Sequence, residues 1–75
     1  MSTLAQVTEE EKNTPGTIPD GFLYASFENI GSSVANVNGT RLQPGKAKDF
    51  PFVGKGYEAA TYDPQSSTLN VMFVV

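Results

Sequence analysis

The chain has 75 residues, which is enough for one domain, and it contains neither cysteine nor histidine, so disulfides, thiolate metal sites and histidine-based catalysis are excluded. A domain this small without disulfides or metals commonly gains stability by associating with another chain. The net charge of −3 lies entirely in residues 1–20, whereas residues 21–75 are neutral, and such a chain lacks the basic surface that nucleic-acid phosphates require.

Residues 1–20 are predicted to form an extended, acidic N-terminal arm. Turn signals lie at residues 13–16 and 19–21. Thr8 and Glu11 have the spacing of a helix capping box, but no apolar periodicity follows that would stabilise a helix. The arm is therefore expected either to be a disordered tail or to become ordered on a neighbouring subunit.

The N-terminal sequence also bears on localisation. Residues 1–9 have no basic region followed by an apolar stretch, so no cleaved signal peptide is expected. The apolar runs of the chain are much shorter than the roughly 20 residues that a membrane-spanning helix needs. The sequence indicates a soluble protein without membrane insertion.

Residues 21–75 are predicted to form an antiparallel β domain. Its first strand, residues 22–28, alternates, with Leu23, Ala25 and Phe27 on one face and Phe22 and Tyr24 on the other.

A hairpin follows at residues 34–42. Asn38-Gly39 favours a type I′ turn between strands 34–37 and 40–42, because both residues accept positive φ. Residues 43–46 match a type II turn, with Pro44 and Gly45 at its centre. A strand over residues 46–50 then ends at Pro51.

The last third of the domain continues this pattern. Residues 52–56 are predicted to be a loop whose Phe52 and Val53 pack back onto the core. A strand over 57–62, a turn over 63–67 and a final strand over 68–75 follow. Turn signals every 8–12 residues are typical of all-β folds, so the sequence predicts a small antiparallel sandwich or jelly-roll-like barrel.

The final strand is apolar on both faces, although a small antiparallel sheet usually keeps one face in water. Alternation places Leu69, Val71, Phe73 and Val75 on one face and Met72 and Val74 on the other. The second face is most simply covered by another copy of the protein or by a different partner. The predicted oligomer interface consists of Phe22, Tyr24, Met72 and Val74.

No catalytic, metal-binding or cofactor-binding residues are predicted, and the protein is not expected to be an enzyme. The serines at 32–33 and 66–67 lie in predicted turns without a base beside them. The carboxylates of the β domain are scattered, and residues 9–11 lack the pattern of a calcium loop. Residues 54–56 lack the remainder of a phosphate-binding loop.

An alternative hypothesis is a carbohydrate-binding or receptor-binding module. It would use the loops 31–33, 52–56 and 63–67, or an aromatic face. Aromatic residues on strands are more often core or subunit interface. Exposure of Tyr57 or Phe52 in a groove would favour binding, and burial of both against another subunit would favour assembly. The aromatic residues considered for this face are Phe22, Tyr24, Tyr57 and Tyr62.

The strand and turn motifs together form a longer pattern. The order NIG, VNG, LxPG, F and YD is found at residues 29–31, 37–39, 42–45, 50 and 62–63, before the final strand. Over residues 22–75 the chain resembles short β-sandwich proteins encoded by bacteriophages. The LxPG step also occurs in cupin-like jelly rolls, but the metal-binding histidines of enzymatic cupins are absent from this sequence.

The resemblance implies a structural component of a bacteriophage virion. Such a protein would be a homo-oligomeric, capsid-associated subunit of the vertex, decoration, fibre or spike type. It would bind copies of itself and other virion proteins, with no nucleic acid and no cofactor. It would be made in the host cytoplasm and located in the virion.

Overall fold

The computed structural model describes residues 4–75 as eight strands in two four-stranded sheets that pack face to face. Sheet A has the strand order β1-β8-β3-β6 and sheet B the order β2-β7-β4-β5, with every neighbouring pair antiparallel. The all-β sandwich predicted from the sequence is confirmed. The strands are β1 Val7–Lys12, β2 Gly16–Ile18, β3 Tyr24–Asn29, β4 Ala35–Val37, β5 Thr40–Leu42, β6 Ala47–Phe50, β7 Ala60–Asp63 and β8 Leu69–Val74.

The described part of the N-terminal segment belongs to the sandwich, in contrast to the predicted free or neighbour-bound arm. β1 pairs with β8 over six residues, and β2 pairs with β7. Ile18 is 1% exposed and belongs to the core. The sequence suggests an arm because β1 is polar, but a strand at the edge of a sheet needs no buried side chain to form its ladder. The first three residues of the predicted arm lie outside the described residues. No helix that could cross a membrane exists in residues 4–75.

The two glycine-containing turns confirm the predicted turn chemistry. Asn38 and Gly39 have φ values of 50° and 84°, as a type I′ hairpin requires. Gly45 has φ 80°, and the N–H of Lys46 donates to the carbonyl of Gln43 at 3.1 Å. The strand β5 between these turns has the predicted bounds.

The core between the sheets combines aliphatic residues of both sheets with a group of aromatic rings. The Phe27 ring contacts Phe50 edge-on with centroids 5.8 Å apart, and it also contacts Tyr62 of sheet B at 6.0 Å. Ring contacts of this kind stabilise the packing beyond the area they bury. The buried apolar residues are Ile18, Phe22, Ala25, Phe27, Ala35, Val37, Leu42, Ala60, Tyr62, Leu69 and Val71.

Asn29, at the end of β3, is fully buried and all of its polar side-chain atoms are hydrogen-bonded. Its Nδ2 donates to the carbonyls of Ser33 at 2.7 Å and Leu42 at 2.9 Å. Its Oδ1 accepts from the N–H of Gly31 at 3.1 Å and the hydroxyl of Ser67 at 2.5 Å. The amide therefore joins sheet A to the end of β5 in sheet B and to two of the loops that cross between the sheets at this end, those from β3 to β4 and from β7 to β8.

Replacing Asn29 by Asp should destabilise the protein by about 2–4 kcal/mol, because two buried carbonyls lose their donor and a carboxylate is buried in its place. Asn36→Asp is the matched control. Asn36 Oδ1 accepts from the N–H of Gly39 at 3.0 Å at an exposed site, and Asp keeps that acceptor, so a change within about 0.5 kcal/mol is expected. Urea unfolding followed by circular dichroism measures both, and equal midpoints for the two variants would contradict the role of Asn29.

Candidate functional site

Most of the exposed large apolar side chains lie at one end of sheet A, where β1 and β3 begin and β6 and β8 end. Among residues 4–75, five of the six such side chains belong to this end, and their exposed fractions range from 46% to 79%. The sixth, Ile30, follows β3 at the opposite end. Exposed apolar area concentrated in one place is typical of an association surface. We call this set the apolar end: Leu4, Val7, Phe52, Val53 and Val75.

The outer face of sheet A continues from the apolar end. Val74 lies between Val7 of β1 and Tyr24 of β3 in the ladder, so these three side chains share a face. Met72 occupies the next position on that face. Tyr24, Met72 and Val74 are each half-buried. Three of the four residues predicted for the interface are therefore neighbours on one outer face.

The fourth residue, Phe22, is a correction, because its side chain is fully buried in the core. The prediction assumed a strand from residue 22, but β3 begins at Tyr24, so strand alternation does not reach Phe22. Gly21 has φ 96° and its N–H donates to the carbonyl of Tyr57 at 2.8 Å. This reversal turns Phe22 inward, where its ring stacks on Tyr57 with centroids 5.0 Å apart.

Carboxylates occupy the remainder of the outer face of sheet A. The register places Glu9 beside Met72, while Glu11 and Glu28 flank Asn70. Glu9 accepts a hydrogen bond from Asn70 at 3.1 Å, and Asp49 on β6 accepts one from Ser26 at 2.9 Å. The outward positions of these four strands hold no lysine or arginine. The outer face thus divides into an apolar part near the apolar end and an acidic part away from it.

The loop between β6 and β7 differs from its prediction, because Phe52 and Val53 do not pack on the core and are 62% and 59% exposed. Tyr57 takes the position beside Phe22, and its hydroxyl donates to the carbonyl of Pro51 at 2.6 Å. Gly56 lies so close to Gly21 that a Cβ there would be 2.9 Å from the Gly21 Cα. The loop therefore closes over Phe22 through its second half and leaves its first half in solvent.

The structure separates the loops of the alternative binding hypothesis. Loops 31–33 and 63–67 lie together at the Asn29 end, where the N–H of Ile30 donates to the carbonyl of Thr68 at 3.0 Å. Loop 52–56 lies at the apolar end. The aromatic residues are separated too: Phe22, Tyr57 and Tyr62 belong to or pack against the core, and Tyr24 lies on the outer face.

The sequence predicts no catalytic serine, and one of the four serines considered, Ser67, is part of the Asn29 network. Ser67 is buried, and its hydroxyl donates to Asn29. Within the described residues 4–75 there is no group of three acidic side chains placed to hold a metal ion, and no cavity.

Some surface residues were not identified from the sequence. Val7 lies in the segment predicted to be an arm, and no local sequence signal indicates its pairing with β8. Phe52 and Val53 were recognised as apolar but placed inward. Two glycines, Gly54 and Gly56, follow them in the same loop. These glycines are the sequence signal that the loop backbone, rather than the Phe52 and Val53 side chains, approaches the core.

Comparison with family models, with curated proteins and with solved structures gives no match to this chain.

Truncation within loop 51–59 should separate its exposed half from its packed half. Phe52→Ala should change the free energy of unfolding by less than about 0.5 kcal/mol, because the ring is mostly in water. Tyr57→Ala should lower it by about 2–3 kcal/mol, since the stacking on Phe22 and the hydrogen bond to Pro51 are lost. Urea unfolding measures both variants, and a larger loss for Phe52→Ala would contradict the described loop.

Proposed function

We propose that this protein is a structural subunit that associates with copies of itself through the apolar end and the adjoining outer face of sheet A. The observation that carries the proposal is the concentration of exposed apolar side chains at one end of the sandwich, continuous with Val74 and Tyr24. Burying such side chains against a second subunit removes them from water, which is the main favourable contribution to association.

The free energy gained by this burial, compared with the cost of association, indicates how much surface the interface must include. Burying the exposed area of the five side chains of the apolar end, each already partly covered, contributes on the order of 6–10 kcal/mol at about 25 cal/mol per Å². Association costs about 4–15 kcal/mol in lost translational and rotational freedom. The apolar end alone therefore gives a marginal dimer at best. A stable assembly needs Tyr24, Met72 and Val74 inside the interface as well.

We further propose that the assembly is part of a bacteriophage virion, as a vertex, decoration, fibre or spike subunit that also contacts other virion proteins. The support for this is the sequence resemblance over residues 22–75, together with a fold that combines a small sandwich with one apolar end. A virion shell is built from many copies of its subunits. A virion subunit therefore needs a defined surface through which it associates with other copies.

Acidic substitutions on the proposed surface should weaken self-association. Val7→Asp and Val74→Asp each place a charge where an apolar contact is expected, so we expect at least tenfold weaker association by sedimentation equilibrium, or about 1.4 kcal/mol. Thr61→Asp is the matched control, since Thr61 is an exposed β-branched residue on the outer face of sheet B and should leave association unchanged.

The Val7→Asp variant is expected to remain folded, because Val7 is 64% exposed on an edge strand and its replacement removes no core contact. Each variant is first checked by urea unfolding. Normal association of a folded Val7→Asp or Val74→Asp protein would remove this surface from the interface, and a monomeric wild-type protein would contradict the proposal as a whole.

A second candidate function, binding of a carbohydrate or receptor, is favoured by the 62% exposure of the Phe52 ring in a surface loop. Exposed aromatic rings can stack on apolar faces of ligands. On a glycan array, this hypothesis expects binding by the wild-type protein that falls at least tenfold in Phe52→Ala. Binding by neither protein, or equal binding by both, would count against it.

A further inference from the structure

β1 is attached to the sandwich although none of its side chains is fully buried. Of its six residues, Thr8 and Lys12 are half-buried and the other four are exposed. Its ion pair, Lys12 to Glu10 at 2.6 Å, lies within the strand and so does not hold it on β8. The hydrogen bond from Lys12 to Glu10 raises the pKa of Lys12. The attachment of β1 to β8 therefore depends mainly on the backbone ladder.

The connection that follows β1 is short. Residues 13–15 lead from Lys12 in sheet A to Gly16 in sheet B. Packed sheets lie about 10 Å apart, and the four steps from Lys12 to Gly16 span at most about 14 Å. A connection of three residues has little slack, and short hinge loops favour exchange between subunits.

β2, beyond this connection, is firmly anchored. Ile18 is 1% exposed in the core, and a Cβ at Gly16 would overlap the Tyr62 ring that packs on it. The structure thus contains a fixed strand, β2, joined by a short hinge to a strand with no fully buried side chain, β1. Local opening of a protein concentrates in segments with few buried apolar contacts, which here means β1.

The strand beneath β1 is the most apolar in the sheet. When β1 leaves, the N–H and C=O groups along one edge of β8 lose their partners, and this edge carries Val71, Met72, Phe73 and Val74. An exposed, apolar edge strand readily pairs with a strand from another chain.

We propose that this edge of β8 is an intermolecular strand-docking site, occupied in the assembled protein by β1 of a second copy. The inference rests on the self-association proposed above and names the element exchanged. The β1 of a second copy fits because it reproduces the same six-residue register, from Val7 on Val74 to Lys12 on Leu69, and the same hydrogen bond from Asn70 to Glu9. Exchange of an identical element loses no contact, so it adds a link between subunits at low energetic cost.

The experiment uses a disulfide between β1 and β8 in the full chain, which has no cysteine of its own. Gln6 and Val75 exchange both backbone hydrogen bonds, so by alternation Glu11 and Asn70 form a non-hydrogen-bonded pair with Cα atoms about 4.5 Å apart, within the range of a disulfide. The variant Glu11→Cys/Asn70→Cys leaves the apolar end unaltered. Thr17→Cys/Thr61→Cys, which joins β2 to β7, is the matched control.

After oxidation at a concentration where the protein is associated, non-reducing denaturing gels report whether each disulfide lies within or between chains. The proposal expects at least tenfold more covalent dimer for the β1–β8 pair than for the β2–β7 pair. It also expects that inserting Gly-Gly-Ser after Asn13, which relaxes the hinge, lowers that dimer fraction severalfold. Random collision would give similar dimer fractions for both pairs and no effect of the insertion.

Sedimentation of the same samples separates this inference from the proposed function. An associated protein whose β1–β8 disulfide forms within each chain overturns strand exchange and leaves association through the apolar end intact. A monomeric protein with the intrachain disulfide overturns both. A dimer fraction that does not respond to the insertion also counts against exchange through the hinge.

Discussion

The buried amide of Asn29 is the interaction on which one end of the sandwich depends. It lies at the end of β3 in sheet A, and it bonds to Leu42 at the end of β5 in sheet B. Its remaining bonds, to Gly31, Ser33 and Ser67, fix the loops that carry the chain from β3 to β4 and from β7 to β8. A buried amide is costly unless it is fully bonded, so its four partners specify one arrangement of both crossovers.

The backbone of the same residue ties a third segment to this end. The N–H of Asn29 donates to the carbonyl of Lys46, and its carbonyl accepts from the N–H of Gly45, each at 2.9 Å. Gly31 has no room for a side chain, because a Cβ there would be 2.7 Å from the backbone nitrogen of Thr68. In a chain without disulfides, this polar network performs the cross-linking that fixes the Asn29 end.

The opposite end is closed differently, and the difference explains where the exposed apolar surface lies. There the stacking of Phe22 on Tyr57 and the close approach of Gly56 to Gly21 close the core. These contacts use backbone and ring faces, and they leave Phe52 and Val53 outside. The two ends are therefore not equivalent: one is fixed by internal hydrogen bonds, while the other retains apolar area available to a partner.

The sequence predicted those parts of the fold that local chemistry determines. Asn38-Gly39 and Pro44-Gly45 identify their turns because few residues accept positive φ, and alternation in β8 correctly separated Val71 from Met72 and Val74. β1 could not be predicted, because its partner β8 lies about sixty positions away and its own residues show no apolar alternation. The role of Asn29 was missed for a related reason: its partners come from three separate segments.

The interface prediction illustrates the same limit at the level of single residues. Tyr24, Met72 and Val74 follow strand alternation and lie on the outer face, so a local rule was sufficient. Phe22 was assigned by the same rule, yet Gly21 reverses the backbone just before it and places the ring in the core. Alternation of side chains applies only within a strand, and β3 begins at Tyr24. Phe22 lies before that start, where it packs on Tyr57 instead.

The edges of the two sheets restrict how subunits can join. β2 and β5 have three residues each, and the edge strand β6 carries Lys48 and Asp49. Short and charged edges resist pairing with another chain. The glutamates of β1 protect sheet A in the same way, but they protect it only while β1 is in place. β1, which has no fully buried side chain, covers β8, the most apolar strand of the protein. The edge of β8 is therefore protected while β1 is paired with it. Without β1, the same edge is the one most able to pair with another chain.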